Sequence, residues 1–90
     1  MKENETRDQR LAAEMRWGDR ARAIDISVGR RITLRRRHLG YSASEAASSA
    51  HITEDRLRRI EAGTERAGPV LLDLAGTLGV KISYFFEDAA

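Results

Sequence analysis

From Val28 onward, apolar residues return every three or four positions, the spacing that lines one face of a helix. Val28, Ile32 and Leu39 make the first stripe, and Gly40 follows as a stop. Ser42-Ala-Ser-Glu45 is a capping box, in which the serine hydroxyl and the glutamate carboxylate each satisfy an orphan amide of the other. It predicts a second helix running to Ala50. That helix carries Ala43, Ala46, Ala47 and Ala50, small side chains that let another helix come close. His51 stands where the chain must turn, and histidine is among the residues that best tolerate positive φ. Thr53 predicts the cap of a third helix, with Glu54 and Asp55 in the first turn, where acids suit the helix dipole. Leu57 and Ile60 point to the core, and Gly63 terminates the element.

Gly68-Pro69 opens a fourth helix, with proline at an early position where its missing N–H costs nothing. Its stripe is Leu71, Leu74, Ala75 and Leu78, and Gly79 ends it. Val80, Ile82, Tyr84, Phe85 and Phe86 form an apolar closing segment, read as a fifth helical turn. No stretch has the two-residue alternation of a strand. The fold class predicted is all-α, a five-helix bundle preceded by an arm.

The arm covers residues 1–25 and the bundle 26–90. Residues 1–8 are polar and expected to be disordered. Residues 9–24 have a helical stripe of Ala13, Trp17, Ala21 and Ile24, weakened at Gly18 by about 1 kcal/mol relative to alanine. Two roles are open to Trp17: packing on the domain, or a dimer or partner contact made by the arm.

Ninety residues with 41% hydrophobic content suit one small domain. Without cysteine there is neither a disulfide nor a thiolate metal site, and His38 and His51 alone do not make a metal centre. No cofactor, metal or small-molecule ligand is expected. No apolar run is long enough for a membrane span, and MKENETRDQR lacks the apolar core of a secretory signal. A cytoplasmic, nucleoid-associated protein is expected. A chain ending at Ala90 is also expected to carry no ligand-sensing or protease domain.

Charge is distributed unevenly. Residues 28–60 carry eight arginines against Glu45, Glu54 and Asp55, whereas residues 61–90 are net acidic. The positive charge therefore sits on the one segment that contains the candidate helix-turn-helix, as expected of a polyanion binder. On the first helix Arg35 and Arg36 flank the apolar stripe, so at least one is partly inside and needs a carboxylate partner.

Together these residues resemble the lambdoid-repressor and Cro-like helix-turn-helix family, also called the xenobiotic-response-element type. The likeness is carried by VGRRI at 28–32, LRRRHLG at 34–40, the cap at 42–45, IT at 52–53, RIEAG at 59–63 and LAGTLGVKISYFF at 74–86. It covers residues 26–87 without a gap and is most similar to regulators common in alphaproteobacteria. The resemblance implies a lambda-repressor-like DNA-binding domain. It implies a buried ion pair between Arg36 and Glu61. It also implies that Thr53, Glu54, Asp55, Arg56 and Arg59 face bases or phosphates, that Ser42 and Ala43 touch the DNA backbone, and that Arg66 meets a phosphate.

Three positions depart from the family pattern. Ala43, Glu54 and Asp55 stand where family members often have glutamine, which reads adenine bidentately. The acids are open to two readings: acceptors for cytosine N4, or residues that simply favour the helix N-terminus. Arg56, Arg58 and Arg59 balance their charge, and arginine reads guanine, so sites containing G·C pairs are expected.

Two functions follow. The first is a sequence-specific regulator of transcription, a repressor acting on double-stranded DNA as a homodimer at a palindromic operator. Its candidate dimer contacts are Trp17, Tyr84 and Phe86, of which the last two are equally open to a core role. The second is an antitoxin or antiactivator whose helices grip a protein partner, a reading that Ala43, Glu54 and Asp55 favour. An enzyme is not expected: there is no nucleophile with a base, no phosphate loop and no paired carboxylates in a cleft, and Glu54 and Asp55 point about 100° apart on a helix.

Overall fold

The computed structural model describes residues 7–87, with side chains from residue 18 onward. Four α-helices and a closing 3-10 turn follow in order: α1 (Arg7–His38), α2 (Ala43–Ser49), α3 (Glu54–Ala62), α4 (Val70–Leu78) and the turn Ile82–Phe86. There is no strand among the described residues. The fold is all-helical, but the expected five helices are not matched: four are α-helices, and the expected fifth is only the 3-10 turn Ile82–Phe86. The arm helix and the first bundle helix are one element of 32 residues, about 48 Å long at 1.5 Å per residue. Asp25-Ile26-Ser27, between the two stripes, contains no proline or glycine, so nothing interrupts the backbone ladder there. Gly18, in the interior of α1, has open space around it and is accommodated.

The helix ends are set locally. Ser42 accepts from the Glu45 amide at 3.0 Å, and the Glu45 carboxylate accepts from the Ser42 amide at 2.8 Å. Thr53 Oγ1 accepts from the Arg56 amide at 3.1 Å. Gly63 and Gly79 close α3 and α4 with φ of +78° and +65°, a conformation that suits glycine. Between α2 and α3, His51 takes φ of +61°, the one non-glycine residue at positive φ among those described.

The core is small and alanine-rich. Ile32, Leu57, Ile60, Leu74, Leu78 and Phe85 are its largest fully buried side chains. Ala46, Ala47 and Ala50 bring α2 close to its neighbours, and Thr77 of α4 donates to Ser49 of α2 at 3.0 Å. Two expected apolar positions stay outside. Leu39 falls just past the end of α1 and is exposed, and Ile24 faces solvent on the part of α1 that precedes the core. The side chains of Ala13 and Trp17 lie outside the described residues.

α1 crosses α3 at close range. A Cβ on Gly29 would lie 2.4 Å from the carbonyl oxygen of Ile60, so only glycine fits this crossing. Three arginines of α1 then fasten the ends of other elements. Arg31 Nε donates to the Tyr84 carbonyl at 3.1 Å, and its guanidinium lies over the Tyr84 ring, 4.2 Å from the centroid. Arg31 Nη2 also pairs with Glu87 at 3.0 Å. Arg35 Nε donates to the Leu78 carbonyl at 2.9 Å, satisfying the C-terminus of α4. Arg36 takes the end of α3 through Glu61.

Candidate nucleic-acid interface

A capped α2, a left-handed turn at His51 and a capped α3 make a helix-turn-helix, and α3 is the element it presents. Leu57 and Ile60 fix the inner face of α3 in the core. Its outer face carries Asp55, Arg58 and Arg59, with Glu54 and Arg56 at the flanks. The far end is held by Arg36, whose Nε and Nη2 donate to the two oxygens of Glu61 at 2.7 and 3.0 Å. Arg36 Nη1 also donates to the Tyr41 carbonyl at 3.0 Å. Both side chains of the pair are about nine-tenths covered, at 12% and 10% exposure. The hydrogen bond to Glu61 holds the pKa of Arg36 above its ordinary value, against the opposing effect of burial.

The surface of α3 is self-neutralised. Glu54 accepts from Arg58 through both Nε, at 2.9 Å, and Nη2, at 2.5 Å. Asp55 pairs with Arg59 Nη1 one turn on. Glu65 takes both remaining arginines: Arg56 Nε donates to one of its oxygens at 2.7 Å, and Arg59 Nε to the other at 2.8 Å. Hydrogen bonds from Arg59, then Arg56, hold the Glu65 carboxyl below the ordinary carboxylate value. The Arg59 guanidinium is correspondingly raised, chiefly by Glu65. Across residues 53–66 four arginines stand against four acids.

This changes the electrostatic picture drawn from the sequence. Six of the eight arginines between residues 28 and 60 are engaged, three fastening the fold and three paired on α3. Arg30 and Arg37 have no partner among the described residues. The segment is basic by count without being a bare basic face.

The other candidate residues are placed as follows. Ser42 is exposed at the start of α2, but its amide is already taken by Glu45. Ala43 is buried at 7% exposure, so this position puts no side chain on the surface. Thr53 is exposed at the start of α3, and its hydroxyl proton remains available while its oxygen caps the helix. Arg66 is exposed, with a long 3.5 Å contact to Asp25 of α1. Tyr84 is half-buried under Arg31 and edge-on to Phe85, so it is tied into the fold. Phe86 is 55% exposed. With Ala21, Ile24, Val28 and Leu71 it lines an open apolar groove of about 530 Å³.

Glu65 is the residue that sequence reasoning missed. It lies nine and six positions from its two partners, outside any helical spacing. Gly63 folds the chain back, and Thr64 and Glu65 both donate their amides to the Arg59 carbonyl, at 3.0 and 3.3 Å. A glycine stop followed closely by an acid, after a helix with several arginines, is the signal that would have pointed to it.

No protein-family model matches the chain. It is similar to proteins named uncharacterized HTH-type transcriptional regulators. Those of Sinorhizobium medicae (strain WSM419) and Rhizobium meliloti (strain 1021) are each 45% identical over 67 residues, covering 73% of this chain and 48% of the relative. One from Sinorhizobium fredii is 39% identical over 70 residues, covering 77% of this chain and 49% of its own length. The chain therefore spans about half the length of these relatives. Their names and the capped helix pair agree on a helix-turn-helix protein. No helix among the described residues is long and apolar enough to cross a membrane, and none of their His, Cys, Asp and Glu residues group in a way that could hold a metal ion.

Proposed function

We propose that the protein is a sequence-specific regulator of transcription that binds double-stranded DNA with α3 in the major groove. The observation that carries this reading is the fixed presentation of α3: capped at Thr53, closed against Gly29 and held at its far end by Arg36–Glu61. Similarity to proteins named as HTH-type regulators supports it. In this reading Arg56 and Arg59 face base edges. Thr53 and Ser42 donate hydroxyl protons to phosphates, the Ala43 position approaches the backbone through its main chain, and Arg66 meets a phosphate. Glu54 and Asp55 set the charge at the helix N-terminus.

The family resemblance favours the lambda-repressor and Cro-like class and a repressor, acting in the nucleoid. Such proteins read palindromes as two-fold dimers with half-sites about one helical turn apart. Phe86 and the apolar groove beside Ile24 are the surface we assign to a second copy, with Tyr84 supporting it from within.

One observation favours a protein partner instead. The acids of α3 neutralise its arginines, which weakens the pull of phosphates. Salt titration separates the two readings. A DNA-binding protein loses affinity for DNA upstream of its own gene with a log–log slope of about −0.9 per phosphate neutralised. Absent or salt-independent binding at low ionic strength selects the protein-partner reading.

A further inference from the structure

Arginines that read DNA are long and flexible, and a free one must be ordered at the moment of binding. On α3 the three arginines are held in different ways. Glu54 chelates Arg58 through Nε and Nη2, occupying one whole edge of the guanidinium. Glu65 engages Arg56 and Arg59 only through Nε, one arginine per carboxylate oxygen. That leaves both Nη groups of Arg56 and the Nη2 of Arg59 without a partner among the described residues. The paired Nη donors of an arginine are the fork that matches guanine O6 and N7. Glu65 is itself fixed, because the Arg59 carbonyl accepts from the Thr64 and Glu65 amides and from the Thr64 hydroxyl at 3.1 Å.

Resting on the DNA-binding reading above, we propose that Glu65 is the specificity-determining positioning residue of the interface, aiming Arg56 and Arg59 at adjacent base edges. A carboxylate in this position has two effects of the same sense. It orders the reading ends of both arginines before DNA arrives, which favours the cognate site. It also repels phosphates and cancels charge, which disfavours every other site. Arg56, with its whole fork uncommitted, is the guanine reader. Arg59, shared with Asp55, keeps its Nη2 group for a neighbouring acceptor.

The test uses the full chain, a duplex selected by the wild type from a random pool, and a scrambled duplex of equal length. Binding of both is measured across a salt series for wild type, Glu65→Gln, Glu65→Asp, Arg56→Ala and Arg56→Ala/Glu65→Gln. Glu65→Gln is expected to weaken binding to the selected duplex and tighten binding to the scrambled one. The affinity ratio then falls about tenfold or more, the scale of one lost base contact. Its salt slope steepens by roughly 0.9, the equivalent of one further phosphate. Glu65→Asp keeps the charge but shortens the reach, so it lowers affinity for the selected duplex and leaves the scrambled one unchanged. In the Arg56→Ala background, Glu65→Gln has a smaller effect on the ratio, because the two side chains act as a unit. Circular dichroism of the Glu65 variants keeps the wild-type helix signal at the temperature of the binding measurement, so the ratios compare folded proteins.

Equal tightening on both duplexes by Glu65→Gln, with Glu65→Asp behaving as wild type, would reduce Glu65 to a charge and overturn the proposal. A ratio unchanged in both variants overturns it equally. In either case the wild type still selects a site, so the DNA-binding reading stands. A wild type that selects no site and binds without salt dependence brings down that reading and this proposal with it.

Discussion

Gly29 of α1 lies against the main chain of Ile60 in α3, so close that a methyl on Gly29 would stand 2.4 Å from the Ile60 carbonyl oxygen and 2.5 Å from that of Glu61. These atoms belong to a helix and cannot swing aside. Alanine at position 29 gains up to about 1 kcal/mol of helix propensity, but overpacking of this kind costs about 1–3 kcal/mol and more against rigid backbone. Gly29→Ala is therefore expected to lower stability by about 2 kcal/mol in urea unfolding. Gly76→Ala, in α4 with open space around it, is expected to raise stability by about 0.5–1 kcal/mol. Equal effects from the two substitutions would contradict the close crossing.

Arg36 and Glu61 hold the exit of α3 to α1 through two hydrogen bonds. Removing one partner strands a charge that is about nine-tenths covered. Arg36→Ala or Glu61→Ala is expected to cost about 3 kcal/mol, the lower end of the range for such pairs because a tenth of each side chain still meets water. Replacing both with apolar residues of similar size recovers part of the loss. Thermal melts of the single variants that match wild type would sink this assignment.

The α2 cap makes a prediction about acid. The Glu45 carboxyl is held below the ordinary carboxylate value, first by the Ser42 amide and then by the Ser42 hydroxyl. A carboxyl with a lowered folded-state pKa contributes stability above its unfolded pKa. That contribution is lost as pH falls through the folded value. Stability should therefore fall on the acid side, and Glu45→Gln should flatten that fall. Ser42→Ala, which removes the hydroxyl acceptor of the cap, should cost about 1 kcal/mol at neutral pH. Urea midpoints across an acid pH series check both; a Glu45→Gln profile parallel to wild type contradicts the cap's share.

The arginines of α3 should differ in what they do. Arg56→Ala is expected to cost about 1–3 kcal/mol on a selected DNA site and to relax preference at one base pair. Arg58→Ala, already chelated by Glu54, should leave sequence preference unchanged. Competition binding against single-base variants of the site distinguishes them. An Arg56→Ala loss shared equally by all sequences would make Arg56 a phosphate contact.

Local chemistry was legible in the sequence. Caps at Ser42 and Thr53, glycine stops at Gly63 and Gly79, and the turn at His51 each depend on a few adjacent residues, and each stands where those residues put it. The inner residues of α3 and α4 follow from helical spacing alone. The unread features depend on what the fold brings together. Gly29 resembles any helix-weakening glycine until α3 is laid across it. Arg31 and Arg35 add to a basic run in the sequence, whereas in the fold their charges serve the Tyr84 and Leu78 carbonyls. The merging of the arm into α1 depended on the lack of a breaker between two stripes, a weaker cue than the stripes themselves. Glu65 meets Arg56 and Arg59 only because Gly63 turns the chain back on α3.

Selection of bound DNA from a random pool tests the central claim most directly. The wild-type chain is expected to enrich one palindromic sequence with G·C pairs in each half-site, read by α3 arginines from two copies. A pool that emerges with no shared sequence, after binding at low salt, would contradict it.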